Sequence, residues 1–114
     1  MSVVIYHNPR CSKSRQTLAL LEERGIQPEI VTYLETPPSV DQLKTLMSQL
    51  ELTDVRDMMR TKEDLYKELD LKSADDETLF KAMTENPKLI ERPIVVANGK
   101  AKHGRPPEQV LDIL

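Results

Sequence analysis

Cys11 is the single cysteine of the 114-residue chain, and it lies in a run rich in cationic side chains. Arg10, Lys13 and Arg15 surround it, and His7 lies four positions upstream. The run separates an apolar strand from a predicted helix, and the free N–H groups at a helix start favour an anion. Because these groups and the positive charges stabilise a thiolate, they lower the thiol pKa. The spacing therefore predicts a nucleophilic cysteine.

Other uses of a single cysteine fit this sequence less well. A free cysteine is often a small buried core residue, but the neighbours of Cys11 are the polar Arg10 and Ser12. A dithiol site would need a second cysteine at the position of Ser14. The phosphate loop of cysteine phosphatases needs a five-residue gap before its arginine, whereas Arg15 follows after three residues. One cysteine and two histidines supply no zinc site of usual spacing, so we expect no metal.

The elements that must position this cysteine follow from the hydrophobic pattern. The predicted strands are residues 3–6, 29–34, 94–97 and 100–103. The predicted helices are residues 14–24, 40–50, 55–60, 63–69, 75–85 and 107–114. This order, β-α-β, then helices, then β-β-α, is similar to that of the thioredoxin fold. We therefore expect an α/β chain with a mixed four-stranded sheet, forming one domain over residues 1–114 with a helical insertion at about 39–86.

Composition limits the classes of partner. The net charge is −3, from 19 acidic and 16 basic residues, which gives no general attraction to nucleic acid or anionic membrane. No stretch approaches the roughly 20 apolar residues that span a bilayer, and the first residues lack the features of a signal peptide. We therefore expect a cytoplasmic protein that binds neither nucleic acid nor membrane, with a monomer as the default.

Four motifs resemble those of the glutaredoxin-coupled arsenate reductases, in particular a chromosomal subgroup related to Spx-type regulators. They are residues 7–15 (HNPRCSKSR), 33–38 (YLETPP), 91–96 (ERPIVV) and 104–108 (GRPPE). The resemblance covers essentially the whole chain and implies a thioredoxin-like fold with a helical insertion. It implies reduction of arsenate to arsenite: a single cysteine attacks arsenate, glutathione adds as co-substrate, and glutaredoxin resolves the adduct. No tightly bound cofactor is implied.

The resemblance also assigns roles to individual residues. It makes Cys11 the nucleophile and His7 the residue that favours its thiolate. The positions implied for binding the oxyanion are Arg60, Arg92 and Arg105, with Ser14 as a further substrate-binding candidate. Arginine suits this task because its guanidinium is always charged and binds tetrahedral oxyanions through paired hydrogen bonds. The hydroxyl of Ser14 could instead cap the following helix.

Proline neighbours distinguish two of the arginines. Arg92 and Arg105 each precede a proline, which biases their backbone towards extended conformations from which a long side chain can reach the cysteine loop. The Arg92–Pro93 bond also suits the cis proline of thioredoxin folds. Arg56, one helical turn from Arg60, is the alternative to it as the third arginine.

Two other functions stay open on the sequence. One is an Spx-like regulator that binds RNA polymerase, although such proteins typically use a second cysteine where this chain has Ser14. The other is a monothiol, glutathione-dependent reductase of mixed disulfides, which keeps the chemistry of Cys11 and changes the substrate.

Overall fold

A computed structural model describes residues 2–114, which divide into two compact units. The first unit runs to Thr36 and resumes at Arg92, and the second comprises Pro37–Glu91. The predicted insertion at residues 39–86 lies within the second unit, and its assignment as an insertion into one domain stays a prediction. Within residues 2–114, no helix is both long enough and apolar enough to cross a bilayer.

The first unit contains the four-stranded sheet. Its strands are β1 (Val3–Tyr6), β2 (Glu29–Val31), β3 (Ile94–Ala97) and β4 (Lys100–His103), in the spatial order β2-β1-β3-β4. Strand β1 is parallel to β2 and antiparallel to β3, which is antiparallel to β4. The predicted mixed four-stranded sheet is thus confirmed.

Strand β2 ends three residues earlier than the sequence predicts. The N–H groups of Glu35 and Thr36 both donate to the carbonyl of Thr32, at 2.9 and 3.0 Å. These bonds fold the chain into a turn, which removes Tyr33 and Leu34 from the strand. The turn matters for function because it brings residues 32–35 to the sheet edge at which β1 also ends.

One face of the sheet packs against two helices, α1 (Ser12–Glu23) and a 3-10 helix (Pro107–Ile113). The core here consists of Val3, Ile5, Leu21, Val95, Ala97, Val110 and Ile113. The sequence predicts a helix after Pro106, and its 3-10 form matches the burial of every third residue, at 107, 110 and 113. Each Å² of apolar surface that α1 buries in this core stabilises the fold by about 25 cal/mol. This packing holds α1 in place, and with it the cysteine at its start.

The hairpin between β3 and β4 turns at Asn98 and Gly99, as predicted. Both residues have positive φ angles, 55° and 75°, which two-residue hairpin turns of the favoured type require. The turn pairs Ala97 with Lys100 and so sets the register at the other end, where Ile94 pairs with His103. This register fixes where the chain after β4 lies relative to the chain before β3.

The second unit is built from short helices, in agreement with the sequence. They are α2 (Val40–Gln49), α3 (Asp64–Glu68) and α4 (Asp76–Glu85), with 3-10 segments at Val55–Met58, Leu71–Ser73 and Pro87–Leu89. Helix α2 begins with the predicted capping box: the Gln42 N–H donates to Ser39 Oγ at 3.2 Å, and the Ser39 N–H donates to Gln42 Oε1 at 2.8 Å.

Arg56 stabilises the second unit. Its Nε donates to the Tyr66 hydroxyl at 3.0 Å, and its Nη2 lies 2.9 Å from the carbonyls of Leu71, Lys72 and Ala74. Hydrogen bonds from a charged group to a partly buried partner contribute about 1.5–3 kcal/mol each. The guanidinium of Arg56 is therefore engaged in structural contacts, which argues against it as the third oxyanion-binding arginine.

Candidate active site

Cys11 occupies the N-cap position of α1, one short loop after β1. Its N–H donates to the Asn8 carbonyl, and its own carbonyl accepts from the Arg15 N–H, both at 3.0 Å. The residue is 8% exposed, which is more buried than the polar sequence around it suggests. It is not among the aliphatic residues of the sheet core. The thiol is thus held in place on a short turn.

The surroundings of the Cys11 sulfur favour the thiolate. Burial is the largest single influence and raises the thiol pKa. It is outweighed by the Ser14 N–H, the Arg92 charge, the Lys13 N–H and the Arg105 charge, so the net pKa is below its ordinary value. The two N–H groups belong to the first turn of α1, where they have no helical carbonyl to bind. The helix start thus lowers the thiol pKa as the sequence predicts, and so do the charges of Arg92 and Arg105, whose predicted role in binding an oxyanion stays a prediction.

His7 acts on this site through Ser14. Its Nδ1 is 2.7 Å from Ser14 Oγ, which also accepts the Asn8 N–H at 2.9 Å. Burial, followed by the charge of Arg15, lowers the His7 pKa, so the imidazole is neutral at pH 7. His7 is not among the groups that shift the Cys11 pKa. These contacts fix the N-terminal turn of α1.

The alternative role of Ser14 as a helix cap is wrong. Helix α1 begins at Ser12, two residues earlier than predicted, so Ser14 lies inside its first turn and Cys11 is the N-cap. The Cys11 side chain makes no capping hydrogen bond. The hydroxyl of Ser14 binds His7 and Asn8 instead, and the Ser14 N–H is one of the groups that lower the Cys11 pKa.

Arg92 and Arg105 lie at the sheet edge where β1 ends. Arg92 precedes β3, whose first residue pairs with the last residue of β1, and Arg105 follows β4. The Arg105 Nη1 donates to the Arg92 carbonyl at 3.1 Å. The Arg92–Pro93 bond is cis, as the sequence predicts, and so is Arg105–Pro106, which we did not expect. The structure thus brings both arginines to Cys11.

Gly104 is a functional position that the sequence reasoning missed. A Cβ on this residue would overlap Thr17 Oγ1 and would lie 2.8 Å from the Cγ atom of Pro93. The Gly104 N–H donates to the Pro93 carbonyl at 3.0 Å. Only glycine therefore lets the chain that carries Arg105 pack this closely against α1 and the Arg92–Pro93 segment. The signal in the sequence is the glycine that precedes Arg105 inside a motif.

Arg60 belongs to the second unit. Its N–H donates to the Leu89 carbonyl at 2.7 Å, next to the isolated bridge between Met59 and Ile90. Its guanidinium forms an ion pair with Glu63 at 3.3 Å. The role of Arg60 towards an oxyanion stays a prediction. Among residues 2–114, no group of three or more His, Cys, Asp or Glu side chains could hold a metal ion.

The thiolate interpretation predicts how alkylation of Cys11 depends on pH. The rate of reaction with iodoacetamide should rise with an inflection below the ordinary thiol value of about 8.5. Replacement of Arg92 or Arg105 by alanine should raise this inflection and slow alkylation at pH 7, because each charge favours the thiolate. Arg24→Ala, at the exposed end of α1, is the matched control. An inflection that stays fixed in both site variants would contradict the electrostatic role.

The sheet is mixed, the thiol lies at the start of the helix that follows β1, and two arginines lie at the same sheet edge. This arrangement defines a thioredoxin-like protein with a single-cysteine site. Residues 6–113 match the ArsC family, and the chain belongs to that family.

Relatives extend over the full length of the chain. The arsenate reductase of Haemophilus influenzae is 59% identical over 116 residues, which cover 100% of both chains. The uncharacterized protein YfgD of Escherichia coli K12 is 61% identical over 114 residues, covering 98% of this chain and 96% of YfgD. The solved structure of an arsenate reductase from Vibrio cholerae has a TM-score of 0.98 and 68% identity, covering 100% of this chain and 98% of the other.

Proposed function

We propose that the protein reduces arsenate to arsenite through Cys11, with glutathione and glutaredoxin as electron donors. The observation that carries this proposal is a thiol whose pKa is lowered by helix N–H groups and by Arg92 and Arg105. The same groups that favour a thiolate are suited to a tetrahedral oxyanion. The arsenate reductase names of the Haemophilus and Vibrio relatives support this choice of oxyanion.

In the first step, the Cys11 thiolate attacks arsenic. An S–As(V) bond forms, and one arsenate oxygen leaves as water after protonation. Arsenate and the thiolate are both negative, so they approach each other only where that charge is neutralised. Arg92 and Arg105 supply the neutralising charge at the sheet edge. They bind the oxyanion, and their planar guanidinium groups pair with its oxygens.

Reduction of arsenate to arsenite takes two electrons, and two thiols supply them as they form a disulfide. In the second step, glutathione supplies the second of these thiols. Its sulfur forms a disulfide with the Cys11 sulfur, and the S–As bond breaks with its two electrons left on arsenic. Cys11 thiol, glutathione and arsenic acid thus give a mixed disulfide, arsenous acid and water. Glutaredoxin then reduces the mixed disulfide and regenerates the Cys11 thiol. No further oxidant or reductant is needed.

The remaining residues take supporting roles in the proposal. His7 is a positioning residue, which fixes Ser14 so that the Ser14 N–H continues to lower the Cys11 pKa. Arg60, in the second unit, keeps its predicted role as an oxyanion-binding arginine, and Ser14 contributes its N–H at Cys11. We further propose one thioredoxin-like domain with a helical insertion, a monomer in the cytoplasm, and no tightly bound cofactor.

The experiment is an arsenate reduction assay with the purified protein, glutathione, glutaredoxin, glutathione reductase and NADPH. We expect NADPH oxidation that needs arsenate, glutathione and glutaredoxin together. Arsenate should also protect Cys11 from iodoacetamide, because it occupies the site. If NADPH oxidation ran equally well with a small mixed disulfide and without arsenate, the monothiol reductase function would replace this proposal.

A further inference from the structure

A cavity of about 330 Å³ opens beside the reactive loop. Its walls come from residues 7–10, which follow β1, and from Thr32, Leu34 and Glu35, which follow β2. Small-molecule sites commonly have volumes of about 300–1,000 Å³. The cavity is thus large enough for a small ligand, and neither Arg92 nor Arg105 lines it.

The sheet order places this cavity and the two arginines on opposite sides of Cys11. Strand β1 leads to the cysteine and lies between β2 and β3. The cavity walls follow β1 and β2, whereas Arg92 precedes β3 and Arg105 follows β4. Cys11 directly follows the wall residues 7–10 and does not itself line the cavity, and its N–H donates to the carbonyl of the wall residue Asn8. An anion bound by the arginines leaves the cavity side of the loop free.

The walls carry both signs of charge. The Arg10 side chain is exposed, and within residues 2–114 its guanidinium makes no hydrogen bond or ion pair. In the wall that follows β2, the Glu35 carboxylate accepts a hydrogen bond from the Thr32 hydroxyl at 3.3 Å. Leu34, which also lines the cavity, is 41% exposed and adds an apolar surface to these charged walls. Such walls suit a zwitterionic ligand with an apolar middle.

We propose that this cavity is the binding site of the thiol co-substrate, a small peptide with free carboxylates and an ammonium group, as in glutathione. Arg10 binds a carboxylate of the peptide, Glu35 binds its ammonium group, and Leu34 covers its apolar part. This inference rests on the proposed function, in which a second thiol reacts at Cys11.

The chemistry of the second step requires a thiol on this side. The incoming sulfur displaces arsenic from the Cys11 sulfur, and displacement at sulfur proceeds in line with the bond that breaks. Arsenic leaves towards Arg92 and Arg105, so the S–S bond must form from the opposite side. The sheet order places β2, and the cavity walls that follow it, on that side of β1. The S–As electron pair stays on arsenic, and the thiol proton passes to solvent.

Binding can be tested apart from turnover with S-methylglutathione, which cannot form a disulfide. In ¹⁵N-labelled protein we expect its addition to shift the amide resonances of residues 8, 10 and 32–35. Arg10→Glu should weaken this binding about tenfold or more, since a carboxylate would lose its cation. Arg24→Glu makes the same change of charge at the exposed end of α1 and should bind normally. Shifts confined to residues near Arg92 and Arg105 would overturn the inference.

Kinetics separates the failure of this inference from the failure of the proposed function. In Arg10→Glu, the KM for glutathione should rise about tenfold or more, while arsenate protects Cys11 from alkylation as before. With 2-mercaptoethanol, which lacks carboxylates, Arg10→Glu and the parent protein should have equal KM values. An unchanged glutathione KM overturns the cavity assignment. Loss of arsenate protection in the parent protein overturns the arsenate function instead, and the S-methylglutathione titration still decides whether the cavity binds the peptide.

Discussion

Cys11→Ser should abolish arsenate-dependent NADPH oxidation, with a loss of about 10⁴-fold or more. A serine hydroxyl is not ionised near neutral pH, so the helix N–H groups and the arginines have no anion at that position to stabilise. The oxygen also cannot form the S–As or S–S bonds that the two steps require. The measurement is the coupled assay at saturating glutathione and glutaredoxin, with initial rates compared over a range of arsenate concentrations.

The serine variant must remain folded for this result to bear on mechanism. We expect its free energy of unfolding to stay within about 1 kcal/mol of the parent value, because one sulfur is replaced by one oxygen. Ser12→Ala, at the exposed neighbouring position, controls for disturbance of the loop and should retain turnover. Substantial arsenate reduction by Cys11→Ser would show that another group performs the chemistry.

Gly104→Ala should lower both stability and activity. The new methyl group would overlap the buried Thr17 side chain and the ring of Pro93, which overpacks the junction between α1 and the arginine segments. Overpacking of this kind costs about 2 kcal/mol. The chain can relieve this overlap by displacing residues 104–106, which moves Arg105 away from the thiol. Urea unfolding measures the first effect, and the arsenate KM measures the second.

A double-mutant cycle distinguishes steric overlap from a general effect of alanine. Thr17→Ala removes two of the three atoms that a Cβ on Gly104 would meet, so it should recover about 1 kcal/mol in the Gly104→Ala background. Gly99→Ala is the matched glycine control, because it meets no atom within 4 Å and costs about 1 kcal/mol through its positive φ. Strictly additive effects at Thr17 and Gly104 would mean that the overlap does not determine stability.

Local sequence patterns were sufficient to predict most of the elements. The Asn98–Gly99 turn and the Ser39–Gln42 capping box depend on neighbouring residues alone, and both occur as predicted. The end of β2 was misjudged because its last residues are as apolar as a strand, and only the hydrogen bonds to Thr32 show the turn. The 3-10 form of the last helix depends on its packing against β4 and α1, and a local sequence pattern does not contain that information.

The sequence predicts the chemistry of the candidate site better than it predicts which side chains act on Cys11. The charges near Cys11 in sequence are Arg10, Lys13 and Arg15, yet the side-chain charges that act on its pKa are Arg92 and Arg105. Motif resemblance identified the last two, since composition and spacing cannot show that distant segments meet. The position of Ser14 within the helix, and the packing of Gly104 on Thr17, are tertiary features that no single segment encodes.

The first unit joins both ends of the chain, and this has a consequence for its biosynthesis. Cys11 is synthesised early, with the residues up to Thr36. Arg92 and Arg105 are synthesised later, in the segment that also contains β3, the strand that pairs with β1 on that side. A nascent chain that has not yet reached Arg92 therefore holds its thiol without the two guanidinium charges that favour the thiolate.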